Sequence, residues 1–269
     1  MENLTGNSAN PTIPAVSGEN TAGGLGITGV SDTGIGVQGE CKGSSPGVFG
    51  QSDTGIGVQG TSRTNHAVHG ESAAGRGVVG ISQTFVGVTG ISTSLDGVLG
   101  TSVTGIGVHG KGGKLAGFFE GDVEITGDIQ LPNADCAEDF DIAPFEPVEP
   151  GSVMVLGSDE GALYVSQQPY DKRVAGVVSG AGKYKPGIVL DKRNSLDDRR
   201  PIALLGKVYC KVDACYGQIE VGDLLTTSAT PGHAMKAADP SRAFGAVIGK
   251  SLRRFSEGQG LIPILIALQ

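Results

Sequence analysis

The sequence predicts an all-β protein with a ten-residue-repeat β-helical shaft first and a compact β-barrel or sandwich domain last. Three observations carry that expectation. Gly accounts for 46 of the 269 residues. A four-residue motif, small–aliphatic–x–Gly, recurs at a nearly constant interval through the first half. In the second half it gives way to short apolar runs bounded by Gly, Pro or Asp, which read as strands between turns.

Such glycine enrichment usually signals disorder, collagen or a regular repeat. Collagen is excluded because Gly does not fall at every third residue. The motif reads AVSG at Ala15, GITG at Gly26, GVQG at Gly36, GVFG at Gly47 and GVQG at Gly57. It continues as AVHG at Ala67, GVVG at Gly77, GVTG at Gly87, GVLG at Gly97 and GVHG at Gly107. The second slot is always Val or Ile: Val16, Ile27, Val37, Val48, Val58, Val68, Val78, Val88, Val98 and Val108. The fourth slot, after the opening AVSG, is Gly29, Gly39, Gly50, Gly60, Gly70, Gly80, Gly90, Gly100 and Gly110. A serine follows two positions later at Ser31, Ser52, Ser62, Ser72, Ser82, Ser92 and Ser102.

A fixed period means a stacked array of identical units. A short strand and a Gly-rich turn fit ten residues, and the β-branched apolar slot argues against helix. The fourth-slot glycine is expected to take a positive φ and turn the chain sharply. The serine is expected to hydrogen-bond nearby backbone in that turn. One regular aliphatic residue in ten is too little for a lone ribbon, because ordering ten residues costs more backbone entropy than one buried valine returns. Three chains wound about one axis would aim three valines inward at each level. The expected architecture is therefore an intertwined homotrimeric β-helix over residues 15–117, with a single-chain solenoid as the competing solution. Residues 1–14 read as a flexible or docking arm.

The repeat fades at "KGGKLAGFFEGDVEITGDIQL" (Lys111 to Leu131), where "FFEGDVEITGDI" alternates as a half-buried strand does. Phe118 and Phe119 are placed to plug the shaft's end. Residues 118–150 form a joint and an acidic, Pro-rich connector. From 151 to 269, "GSVMVLGSDEGALYVS" reads as a hairpin, and "RVAGVVSG", "PGIVLD", "PIALLGKVYCKVD", "GQIEVGDLLTTS", "AFGAVIGKSL" and "LIPILIALQ" as further strands. The last run is too short for a membrane span and reads as a central strand.

The formal charge of −8 argues against a nucleic-acid partner. Residues 1–129 carry eleven acidic and five basic side chains, and residues 130–269 seventeen and fifteen. No secretory signal is read at the start, no membrane insertion is expected, and no cofactor is called for. The cysteines, Cys41, Cys136, Cys210 and Cys215, form no CxxC pair, so no zinc site is indicated. Cys210 and Cys215 would bridge or be two buried thiols, and the second reading is preferred.

The GVxGxS series followed by "AGFFEGDVEITGDI" resembles the shafts of bacteriophage tail fibres and related particle fibres. That resemblance implies a trimeric β-helical structural protein on a virion, phage-tail-like particle or cell surface. It would dock on a particle baseplate or tail component at its N-terminus and meet a receptor or glycan at its tip. "DCAEDFDI" (Asp135 to Ile142) and the runs after it are similar to self-cleaving appendage-tip domains of the peptidase G2 type, which open Asp-x-Ala-Glu-x-Phe. Here Asp135, Ala137, Glu138 and Phe140 match. The resemblance implies a domain that assists trimer assembly and a chain that cuts itself at Ala134–Asp135, with Glu138 an acid/base candidate.

From the residues alone, Asp135 and Glu138 form either a proton-transfer pair or part of a solvated acidic connector, and the connector is favoured. Cys136 lacks a neighbouring base to activate it. His69 and His109 occupy the third slot, which alternation turns outward, so a metal ring is not expected. "GAGKYKPG" (Gly180 to Gly187) lacks the phosphate-loop pattern and no helix follows. "DKRNSLDDRR" (Asp191 to Arg200) reads as a wet, charge-rich loop.

Overall fold

The structure is a computed structural model that describes residues 6, 8, 14, 16–143, 148–158, 161–193 and 198–267. It divides into two units, Met1–Lys111 and Gly112–Gln269. Most of the expected N-terminal arm, together with Ala15, lies outside the described residues.

In the first unit, bends recur at one phase of every ten residues from 53 to 107. Each is closed by its serine, whose Oγ accepts from the backbone N–H three residues on. The distances are 2.9 Å for Ser31–Gly34, Ser52–Gly55, Ser72–Gly75 and Ser102–Gly105. They are 3.0–3.1 Å for Ser62–Asn65, Ser82–Phe85 and Ser92–Leu95. All seven serines singled out by the periodicity do the same thing, which makes the turn a local property of the repeat.

The fourth-slot glycine works differently from the expectation. None of these glycines has a positive φ. Each is needed for close approach instead. A Cβ on Gly50, Gly60, Gly70 or Gly100 would sit 2.6–2.7 Å from the carbonyl oxygen of the next repeat's first slot. It would also strike the next valine's Cγ2 in every one of those repeats. The first slot is a little looser, with the reciprocal gap 2.7–3.1 Å in Gly57, Gly87 and Gly107. This explains why Ala67 is admitted there while the fourth slot admits nothing larger than Gly.

Within a single chain the repeats form no β-ladder: among the described residues before Asp135 no strand is assigned. The same holds for "FFEGDVEITGDI", whose Phe118 and Phe119 are exposed. A short strand per repeat would need hydrogen-bond partners that one chain does not supply.

The second unit is all-β. Its strands are β1 (Asp135–Asp141), β2 (Val153–Leu156), β3 (Leu163–Val165), β4 (Val174–Val178) and β5 (Pro186–Leu190). They continue as β6 (Arg199–Asp213), β7 (Leu224–Thr227), β8 (Ala234–Lys236), β9 (Val247–Ser251) and β10 (Gln259–Ala267). A one-turn helix, α1, spans Pro240–Ala243. Strands β6, β10, β9, β7 and β8 pair in a closed ring, which leaves this part of the sheet without an edge.

The 15-residue β6 organises the domain. Its first half lies between β1 and β4, its second between β10 and β8. The change of partners falls at Gly206, φ +106, where a Cβ would lie 2.6 Å from the Ala134 carbonyl oxygen. Only glycine permits both the left-handed backbone and that approach.

Alternation fills the ring. Val208, Cys210 and Val212 of β6 and Ile262, Ile264 and Ile266 of β10 are buried, with Leu225, Ala234 and Ile248 completing the core. A second cluster, Met154, Leu163, Val178 and Ile202, lies under the β2–β3 hairpin and β4. Strand β10 is paired on both sides, as a central strand is, yet its other face leaves Leu261 and Leu265 exposed. The hairpin formed as expected. The connector did not remain one: "DCAEDFD" is β1, paired with both β5 and β6. The preferred cysteine reading holds for Cys210, which is buried and free, and fails for Cys215, which is free but exposed.

Candidate functional site

Two places have the geometry of a site. The first is a row on the repeat unit. Val37, Val58, Val68, Val78, Val88, Val98 and Val108 are 69–73% exposed, each at the same phase of its repeat. Val48 and Ile27 are exposed at 68%, and Val16 at 55%. Ile35, Ile56 and Ile106, two residues before their valines, are exposed as well. Folded monomers scatter single apolar residues over their surfaces, whereas here one phase of every repeat is aliphatic and exposed.

His69 stacks on His66 at 5.7 Å and lies 3.8 Å from the Glu71 carboxylate. Among the described residues no group of three His, Cys, Asp or Glu is placed to hold a metal.

The second place is the start of β1. Asp135 is buried, and the Ser179 hydroxyl reaches its two carboxylate oxygens at 2.8 and 3.0 Å. Burial pushes the Asp135 carboxyl above its ordinary range, and the Ser179 bond offsets this only in part. Ala134, the residue before Asp135, is held through both of its backbone polar groups. The Ala134 N–H donates to the Lys185 carbonyl at 3.0 Å, and the Ala134 carbonyl accepts from the Lys207 N–H at 3.3 Å. Glu138 is three residues along an extended strand, so it faces the opposite side from Asp135. The structure does not bring the two expected carboxylates together. Cys136 is half-buried on the Glu138 side.

Sequence reasoning missed Ser179, 44 residues from Asp135. Its only signal was a polar residue at the end of the apolar run "RVAGVVSG". It also missed Asp213, the buried carboxylate that accepts from the Thr230 hydroxyl (2.7 Å), the Cys215 N–H (2.9 Å) and the Gln259 amide (3.3 Å). Burial, the largest influence, pushes this carboxyl up, yet those donors together hold it down to about 2. Asp213 thereby ties the 3-10 turn at Ala214–Tyr216, the loop before β8 and the start of β10 to the end of β6.

The charge-rich loop is internally paired. Arg193 and Arg199 both bond Asp191, at 2.6 and 2.7 Å, while Arg199 also donates to the Asp139 carbonyl. Residues 194–197 lie outside the described residues.

No protein-family model matches the chain, and no curated protein matches it. Solved structures give distant likenesses, among them three to proteins of bacteriophage phi29. Pre-mature gene product 12 aligns at 13% identity over 54% of this chain and 23% of its own, with a TM-score of 0.40. The C-terminal fragment of gene product 12 aligns at 13% identity over 49% of this chain and 99% of its own, with a TM-score of 0.34. The head fiber gp8.5 N base aligns at 19% identity over 50% and 90%, with a TM-score of 0.25. The chain thus spans about a quarter of the length of the first of these. Among the described residues no helix is long and apolar enough to cross a membrane.

Proposed function

We propose that the protein is a structural fibre of a phage-like particle. Three copies wind their repeats about one axis, and the C-terminal barrel finishes the shaft as a trimerising tip. Its work is reach and attachment. The observation that carries this reading is the row of aliphatic side chains, in register over ten repeats and exposed in one chain. A lone solenoid would have to cover that row with its own coils. Light-scattering mass in native buffer tests it: three times the 27.2 kDa chain is expected, and a monomer overturns it.

A second reading, self-cleavage at Ala134–Asp135, is favoured by one specific feature. A buried carboxyl that retains its proton above the ordinary range stands next to the bond, whose carbonyl already accepts a backbone N–H. In this reading water adds to the Ala134 carbonyl carbon, the C–N bond breaks, and the leaving nitrogen takes up a proton. Intact mass after purification is the measurement. Two fragments meeting at Asp135, absent in Asp135→Asn, are expected; a single intact mass under all conditions overturns it.

A further inference from the structure

The loop Gly180–Lys185 between β4 and β5 remains unassigned by either reading. It is held in one shape at some conformational cost. Gly180 and Gly182 have φ of +99° and +57°, and the Lys185 ammonium donates back to the Gly180 carbonyl at 2.6 Å. Gly182 lies flat on the Tyr209 ring, where a Cβ would meet three ring carbons at 2.7–2.9 Å. The loop therefore rests on β6 and presents Lys183 and Tyr184 beside Tyr209.

What gathers there is unusual for an acidic protein. Tyr184 and Tyr209 sit 5.2 Å apart between centroids, inclined at 43°. The Lys183 ammonium stands 5.6 Å from the Tyr184 centroid and the Lys207 ammonium, from β6, 5.3 Å from the same ring. Among the described residues no carboxylate pairs with Lys183, Lys185 or Lys207, whereas Lys211, two residues beyond Tyr209, is paired with Glu149 at 2.8 Å. Two like charges brought to one ring from separate elements repel each other, and cation–π attraction at an exposed site offsets that only weakly. The group that would complete this arrangement is an anion bearing a ring or polyol that can lie on the tyrosines.

We infer that the Lys183–Tyr184–Lys207–Tyr209 cluster is a binding site for an anionic saccharide, its carboxylate or phosphate held by the two lysines and its sugar face stacked on the tyrosine pair. The saccharide half of this inference rests on the attachment reading; the anion half rests on the cluster itself. The side chains are surface-exposed or half-buried, so they can be changed without opening the core.

The chain has five Tyr and no Trp, so tyrosine fluorescence reports directly on the site. The full-length protein is titrated with an oligogalacturonate, a neutral malto-oligosaccharide of similar length and inorganic phosphate. Saturable quenching by the oligogalacturonate, at least ten times tighter than for the other two probes, is expected. It should weaken at least tenfold in Tyr184→Ala and in the milder single variant Lys183→Ala. It should also fall with added salt. No saturable response, an equal response to phosphate alone, or a response unchanged in both variants overturns the inference. The native mass measured on the same samples tests the trimer separately, so either claim can fail without the other.

Discussion

In the barrel, Ile262, Ile264 and Ile266 point inward at every second residue and are fully buried. In the repeats, Val58, Val68 and Val78 recur every tenth residue just as regularly and remain about seven-tenths exposed. Both patterns are periodic and both use β-branched side chains. The difference lies in closure. A ring of five strands supplies each isoleucine with neighbours from the same chain, whereas a ten-residue repeat without a ladder gives its valine only the backbone of the adjacent turn. Periodicity thus says that a side chain has a fixed place, and tertiary closure says whether its own chain covers it.

The largest effect expected from breaking this contrast is at the valines. Replacing Val68, Val78 and Val88 together by Asp would put three unpaired carboxylates at each of three levels of a trimeric interior, a burden of several kcal/mol per ion. The native mass should fall to that of the monomer while the barrel keeps its own melting transition. A retained trimer would remove the valines from the interface. Next in size is Ile264→Ala, which leaves a cavity in a filled ring and should cost about 2–5 kcal/mol, seen as a lower midpoint in denaturant.

The two buried aspartates of the second unit sharpen the comparison with opposite pH signs. The Asp213 carboxyl lies below its ordinary 3.8, at about 2. Its contribution is present above pH 4 and is lost as pH falls through that interval. Asp135 lies above its ordinary value, so its contribution is present at low pH and lost as pH rises through the raised value. Thermal melts at pH 7 should therefore show Asp213→Asn destabilised and Asp135→Asn unchanged or more stable. The reverse order would show that the donors around Asp213 do not favour its charge. The smallest expected effect is Ser72→Ala, which removes one exposed turn bond and about 0.5–1 kcal/mol of local order.

Much of the local structure was legible beforehand. The serine turns follow from the short reach of a hydroxyl to a backbone N–H three residues on, and all seven formed. The apolar runs from "GSVMVL" onward became strands because alternation and turn residues are local signals. Two short elements were not legible. Strand β8 (Ala234–Lys236) is too brief to show a period, and α1 is a single turn that Asp239 caps and Pro240 opens. The connector reading failed because β1 is stabilised by pairing with β5 and β6, residues 50 to 70 positions away, which no local pattern reports. The glycine reading reached the right residue through the wrong cause: the fourth slot needs an absent Cβ, not a positive φ.

The sequence by itself determined the ten-residue period, the turn chemistry, the exclusion of anything larger than Gly from one slot, and the all-β character of the second half. These depend on contacts within a few residues or on one neighbouring repeat. Only the tertiary structure decided that β6 changes partners at Gly206, that Asp135 meets Ser179 rather than Glu138, and that the barrel closes on itself while the valine row stays open. Those outcomes depend on which distant backbones lie side by side, and side-chain period carries no record of that.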